Sequence, residues 1–146
     1  ADELAIFRKG RIAQQGLASE VYHHPENRYV AEFLGEGNAV QITRHSISSV
    51  MTPWGEVHCD HLPHGEDELI LFVRPQWLEI VPGGEGLLLE QQFLGTHAHC
   101  RVHWQGMTLN AWHADSLPLN TNNVGLRLRQ HRPVIFTRKH WFAAAH

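Results

Sequence analysis

The sequence predicts a mainly β protein: a small barrel or sandwich preceded by a short β-hairpin and two short helices. Three observations lead there. From Asn38 onward, short apolar stretches recur with turn residues between them, the pattern of a small barrel or sandwich. The first 36 residues instead show a hairpin pattern followed by helical periodicity. Apolar residues make up 42% of the 146, enough to fill the core of one domain, or of one domain and a fragment.

The elements follow in order. "LAIFRKGRIAQQG" reads as strand, turn, strand, with Leu4, Ile6 and Ile12 apolar and Lys9-Gly10 at the turn. "LASEVYHH" gives one or two helical turns, stopped at Pro25 because proline disfavours helix at the residue before it. Asn27 is placed to cap a second helix, and Gly35 to end it in a left-handed conformation. Tyr29, Val30, Phe33 and Leu34 fall on one face of that helix. "NAVQITR" alternates apolar and polar, and Pro53-Trp54-Gly55 marks a turn. "ELILFVRP" is nearly all apolar, as in a strand buried on both faces. "QWLEIVPGGEG" reads as a short turn of helix or strand and then a glycine-rich loop. The clearest hairpin is "GLLLEQQFLGTHAHCRVHWQGMTLNAWH", with Gln105-Gly106 at its tip, and "NTNNVGLRLRQHRPVIFTR" supplies two closing strands. The organisation is therefore a βα segment over 1–36, too small to bury its own apolar face, and a β body over 37–146.

Composition narrows function. Net charge is −3, but residues 101–146 carry six basic side chains against Asp115 alone. That is no basic stripe of a nucleic-acid binder, and no nucleic-acid partner is expected. Two cysteines, Cys59 and Cys100, do not make a disulfide framework and fit a reducing compartment. No apolar run approaches the ~18 residues of a membrane span. No glycine is followed by lysine, so the phosphate loop of nucleotide-binding proteins is absent, as are the dinucleotide, nucleophile-elbow and zinc-protease motifs. No catalytic residue is assigned.

Thirteen histidines invite a metal reading. "HCDHLPH" offers His58, Cys59, Asp60, His61 and His64, and "HAHCRVH" places His97, His99 and His103 on one strand face with Cys100 on the other. The spacings match no zinc-finger pattern, and no metal ligand is assigned. His23-His24 suits the negative end of a helix. The tryptophans Trp54, Trp77, Trp104, Trp112 and Trp141 suit core and rim packing more than base or sugar stacking. Arg127 and Arg129 in "LRLR" would serve a small-anion site, or simply a solvated strand face.

The opening 38 residues resemble the end of the nucleotide-binding domain of ABC importer ATPases, the iron(III), sulfate, molybdate, polyamine and maltose group. Ala1-Asp2, Gly10, Arg11-Ile12, Gln14, Gly16, Glu20, Val21-Tyr22, Pro25, Asn27, Tyr29-Val30-Ala31 and Phe33-Leu34-Gly35 carry the match. Leu17-Ala18 stand where the family has Thr-Pro, which weakens the first helix cap. "FVRPQWLEIVP" and "QQFLGTHAHCRVHWQG" resemble elements of the family's C-terminal TOBE domain, with Gln76 in place of a glutamate. "EFLG" is most similar to iron(III)-type members.

The resemblance implies a two-part piece: residues 1–36 as the tail of the ATPase domain and 37–146 as a TOBE regulatory domain, folded as an OB-like small barrel or two interleaved ones. The intact subunit would hydrolyse ATP with magnesium on the inner face of a bacterial inner membrane, alongside permease subunits. This segment itself would hold no cofactor. Its expected partners are a second copy of itself and the ATPase domain. Trp77, Phe93, Leu94, Arg127 and Arg129 are the expected dimer or regulatory surface, and Tyr29, Val30, Phe33 and Leu34 the contact to the ATPase core. The alternative is a stand-alone OB-like module binding a small anion, sugar or oligonucleotide.

Overall fold

The computed structural model describes residues 2–65, 67–117, 122–129 and 132–143. The chain forms two compact units. The first combines Ala1–Thr52, Glu56–Phe72 and Arg132–His146, so residue 36 falls inside it; the second combines Pro53–Gly55 and Val73–His131.

The first unit opens with a hairpin, β1 (Glu3–Arg8) and β2 (Arg11–Leu17), whose turn is as read from the sequence. Lys9 and Gly10 both take positive φ, 53° and 76°, the requirement of a two-residue hairpin turn. Helix α1 (Ala18–His23) follows with Leu17 as its N-cap and no side-chain cap, since leucine carries no acceptor for the first-turn amides. Asn27 does cap α2 (Arg28–Phe33): its side-chain oxygen accepts from Val30 N at 3.0 Å. Gly35 ends that helix but not in the left-handed form; its φ is 148°, and Leu34 closes the last turn in helical geometry.

A five-stranded sheet completes this unit, in the order β11-β6-β3-β4-β5, with β11–β6 and β3–β4 antiparallel. Its strands are β3 (Asn38–Ser46), β4 (Ser49–Thr52), β5 (Gly55–His58), β6 (Glu68–Val73) and β11 (Val134–Thr137), and helix α3 (Arg138–Ala143) follows the last. Strand β3 alternates buried and exposed, whereas β6 is buried from Leu69 through Val73, as a near-continuous apolar run predicts. Phe72 packs its ring 5.7 Å from Trp141 and so close to the Gly37 backbone that a Cβ there would overlap the ring.

The second unit is built on a four-stranded antiparallel sheet, β10-β7-β8-β9. A single 3-10 turn, Pro75–Trp77, leads into β7 (Leu78–Phe93), and β8 (Ala98–Trp104) and β9 (Met107–His113) form the expected hairpin. Strand β10 (Asn122–Leu128) returns beside the first half of β7. The glycine-rich stretch is not a loop. It is the middle of a 16-residue strand. Opposite it the register jumps, Asn122 facing Leu87 while Val124 faces Pro82, so Gly83 to Gly86 form a bulge. There β10 presses on β7: a Cβ on Gly86 would overlap the Val124 carbonyl oxygen and meet Trp104 Cδ1 at 3.2 Å.

The hydrogen-bonded order of both large sheets is open, so neither is a closed barrel among the described residues. The four-stranded sheet nevertheless curls, and the 3-10 turn before β7 packs against β9, the far edge strand. Its core is Leu78, Ile80, Ala98, Cys100, Val102, Trp104, Leu109, Ala111, Val124 and Leu126.

Candidate interaction surfaces

The residues expected to meet an ATPase core sit on α2, and the hairpin in front of them changes their role. Val30 is fully buried with Ile6 and Val21, and Leu4, Ala13, Tyr29 and Leu34 pack around that trio. Tyr29 is further fixed by its hydroxyl, which donates to the Phe7 carbonyl at 3.0 Å, and by the Arg8 guanidinium 4.7 Å above its ring. The βα segment thus buries most of its own stripe, contrary to the sequence reading, because β1 and β2 cover the face that periodicity alone leaves open. Val30 is unavailable to any partner. Phe33, 60% exposed, is the one stripe member that faces out. Phe7 and Ile12, register partners on the hairpin, are exposed as well. Sequence reading missed this pair; their apolar character at paired hairpin positions was the available signal.

The expected regulatory surface lies in the second unit. Arg127 stands opposite Glu79 across the β10–β7 pair, and its Nη2 donates to Glu79 Oε1 at 3.0 Å. Arg129 approaches the other carboxylate oxygen at 3.7 Å. The Arg127 hydrogen bond holds the Glu79 carboxyl below its ordinary range, against the opposing effect of desolvation. Both arginines are therefore engaged by a carboxylate, which disfavours the anion-site alternative. Trp77 is half-buried at the end of the 3-10 turn; its carbonyl accepts from Arg129 N at 2.8 Å, and the Arg74 guanidinium lies 5.6 Å from its ring. The structure thus gathers Trp77, Arg127 and Arg129 around the start of β7. Phe93 and Leu94 are at the other end of that strand, each 47% exposed, with Leu94 N donating to His97 O at 2.8 Å across the connecting turn.

The tryptophans divide by role. Trp54 and Trp104 stack at 5.3 Å, and Trp54 Nε1 donates to the Leu126 carbonyl at 3.0 Å. Trp141 is buried beside Phe72 and Phe136, with the Arg28 guanidinium 4.7 Å above it. These three are structural, as the sequence reading held. Trp112 is different: it is half-exposed and stacks on His99 at 4.9 Å.

The histidine motifs also separate. In the first unit His23, His24, Cys59 and His61 line one cavity of about 200 Å³ with Glu26 and Val134, and an Arg132 Nη1 lies 2.8 Å from His24 Nε2. Two motifs distant in sequence therefore meet. Among the described residues, however, no group of three or more His, Cys, Asp or Glu is placed to hold a metal ion. Cys100 points into the core, and burial pushes its thiol above the ordinary value. No described helix is long and apolar enough to cross a membrane.

No family model matches the chain. Its curated relatives are ATP-binding subunits of importers. It is 34% identical over 110 residues to the Fe(3+) ions import ATP-binding protein FbpC of Streptomyces coelicolor, covering 73% of this chain and 31% of that one. It is 38% identical over 109 residues to the protein of the same name from Streptomyces avermitilis, covering 72% and 30%. The Spermidine/putrescine import ATP-binding protein PotA of Spiroplasma citri is 30% identical over 111 residues, covering 72% and 30%. The chain thus spans under a third of the length of these relatives.

Proposed function

We propose that this chain, related by sequence to the ATP-binding subunits of ABC importers of the iron, sulfate and polyamine group, is the C-terminal regulatory and dimerisation part of such a subunit. The observation that carries the reading is the 34–38% identity to two iron(III) import subunits over more than two thirds of the chain. Iron(III) is accordingly the proposed solute class. Residues 1–36 act as the tail of the ATPase domain, and Phe33, with Phe7 and Ile12, is its exposed apolar contact. Residues 37–146 act as the regulatory domain, and ATP and magnesium belong to the rest of the subunit. Permease subunits at the inner face of the bacterial inner membrane are the partners of the whole.

Dimerisation would use the second unit. Phe93 and Leu94 offer exposed apolar area for the centre of a two-fold contact, and Trp77 offers a half-buried aromatic anchor. The charged Glu79, Arg127 and Arg129 cluster would supply its polar rim.

The reading is tested on the gene and on the protein. The coding sequence upstream of Ala1 should hold a phosphate loop and its partner carboxylates, and a reading frame without them overturns the proposal. Deletion of the full gene should abolish uptake of radiolabelled iron(III), and unchanged uptake overturns the solute assignment. The chain alone should show no calorimetric binding of magnesium-ATP; a micromolar constant contradicts the division of labour. In sedimentation at rising concentration it should dimerise, and Phe93→Ser with Leu94→Ser should return it to monomer. A monomer at tens of micromolar refutes the interface.

A further inference from the structure

His97 and His99 offer a pair of nitrogens for which the transport reading has no use. His99 lies on the half-exposed side of β8, where Ala98, Cys100 and Val102 alternate into the core. His97 precedes it by two residues. Their Nε2 atoms are 2.9 Å apart while the ring centroids are 4.8 Å apart, so the rings meet through their Nε2 edges. Trp112, the register partner of His99 on β9, lies nearly parallel to it at 12° and stands 4.1 Å from His97. Thr96 Oγ1 is 2.9 Å from His97 Nδ1. When that Nδ1–H donates to Thr96, the Nε2 of His97 is left bare, and His99 Nε2–H donates to it.

This geometry has a chemical meaning. A neutral imidazole nitrogen binds a first-row divalent cation at about 2.0–2.1 Å. Two such bonds at a right angle put the nitrogens about 2.9 Å apart; at a tetrahedral angle the separation is about 3.3 Å. The observed spacing is that of a ring-to-ring N–H···N hydrogen bond, and it coincides with the separation of two adjacent corners of a tetragonal or octahedral ion, the preference of copper(II) and nickel(II) with nitrogen and oxygen donors. Thr96 is the outer hydrogen-bond partner that orients a ligating histidine, and the Trp112 face restrains both rings.

We propose that His97 and His99 form a two-imidazole chelating site for a divalent transition metal of the copper(II) or nickel(II) class, with water at the remaining positions. On binding, the proton shared between the two Nε2 atoms passes through solvent to Nδ1 of His99. Both rings stay neutral, and both Nε2 lone pairs face the ion. The Nε2–H bond of His99 breaks, an Nδ1–H bond forms on the same ring, each Nε2 lone pair displaces a water from the ion, and no oxidation state changes.

The test uses the untagged chain, titrated with nickel(II) and with copper(II) chloride at neutral pH in a non-coordinating buffer. Calorimetry and tryptophan emission are followed together. The wild type should show one tight site whose filling quenches emission, because the ion sits on rings stacked against Trp112. His97→Ala and His99→Ala should each weaken that site at least about tenfold, a loss at the low end of what removing even an outer-shell partner causes. Trp112→Phe should keep the binding heat and lose the matching part of the quench. A chain with His23, His24, His58 and His61 all changed to alanine should keep the site. Full-strength binding by the His97→Ala/His99→Ala double variant overturns the proposal, and so does loss of the site in the quadruple variant. Circular dichroism checks that each variant folds, and glutamine at 97 and 99 replaces any alanine variant that does not.

Discussion

Replacing Gly86 by alanine tests the bulged crossing of β7 and β10 directly. Gly86 does not need glycine for its backbone, since it has no positive φ, so alanine is conformationally acceptable there. The cost comes only from space. The new methyl would overlap the Val124 carbonyl oxygen and press on Trp104 Cδ1 and Val124 Cγ2, both at 3.2 Å. The first obstacle is backbone rather than the far end of a flexible side chain, and Trp104 is itself buried and stacked on Trp54. Overpacking of this kind costs about 1–3 kcal/mol, and the backbone obstacle places Gly86→Ala at the upper end, about 3 kcal/mol. For a chain of this size that lowers Tm by roughly 6–12 °C. Gly83→Ala is the internal control: its Cβ meets open space, and only its φ of 81° is strained, a cost of about 1 kcal/mol. Urea unfolding followed by tryptophan emission reads both. If Gly86→Ala costs no more than Gly83→Ala, the close crossing of the two strands is wrong.

Other outcomes follow from single contacts. Asn27→Ala should lose about 1 kcal/mol by removing the cap on Val30 N, while Asn27→Ser should lose much less; equal losses would deny the cap, in the same urea assay. Val30→Ala should cost about 2 kcal/mol by opening the Ile6–Val21–Val30 cluster, whereas Phe33→Ser on the same helix should be near neutral in the isolated chain. The opposite ranking would show that the stripe faces away from the hairpin. Glu79 ionises more readily folded than unfolded, so its contribution is complete above the unfolded carboxylate range and is lost as pH falls through the lower folded value. Thermal melts across that acidic window should therefore fall less steeply for Glu79→Gln than for the wild type, and parallel profiles would refute the Arg127 contact.

The parts of this fold that were legible in sequence are those where one residue type has one use. Lys9-Gly10 and Gln105-Gly106 each begin a two-residue turn with positive φ at both positions, and glycine in the second place announces it. The apolar run Leu69 to Val73 is a strand covered on both faces, as its composition demands. Gly83-Gly84 has two uses, a loop or a bulge, and only the opposing strand decides between them. Residues 122–128 supply that strand, and nothing local to the glycines points to them. The stripe on α2 was legible as a stripe, but its cover was not. Periodicity says which face of a helix is apolar and is silent on whether the preceding hairpin folds onto it. The arginines of "LRLR" looked free because their partner, Glu79, lies 48 residues from Arg127 in sequence and farther still from Arg129.

The pairing of β11 with β6 has a consequence for synthesis. Val134 faces Phe72 and Thr137 faces Leu69, so the two strands that meet are made about sixty residues apart. During that interval the ribosome delivers the whole β7–β10 sheet while β6 stands as the temporary edge of an unfinished one. The waiting edge is Leu-Ile-Leu-Phe-Val, a segment of high β-propensity and no charge, the kind that pairs with another nascent chain when left bare. Closing so long a loop is also slow compared with local hairpins. The hazard of this topology therefore lies in the moments before completion, and truncation ahead of Val134 should turn a folding chain into an aggregating one.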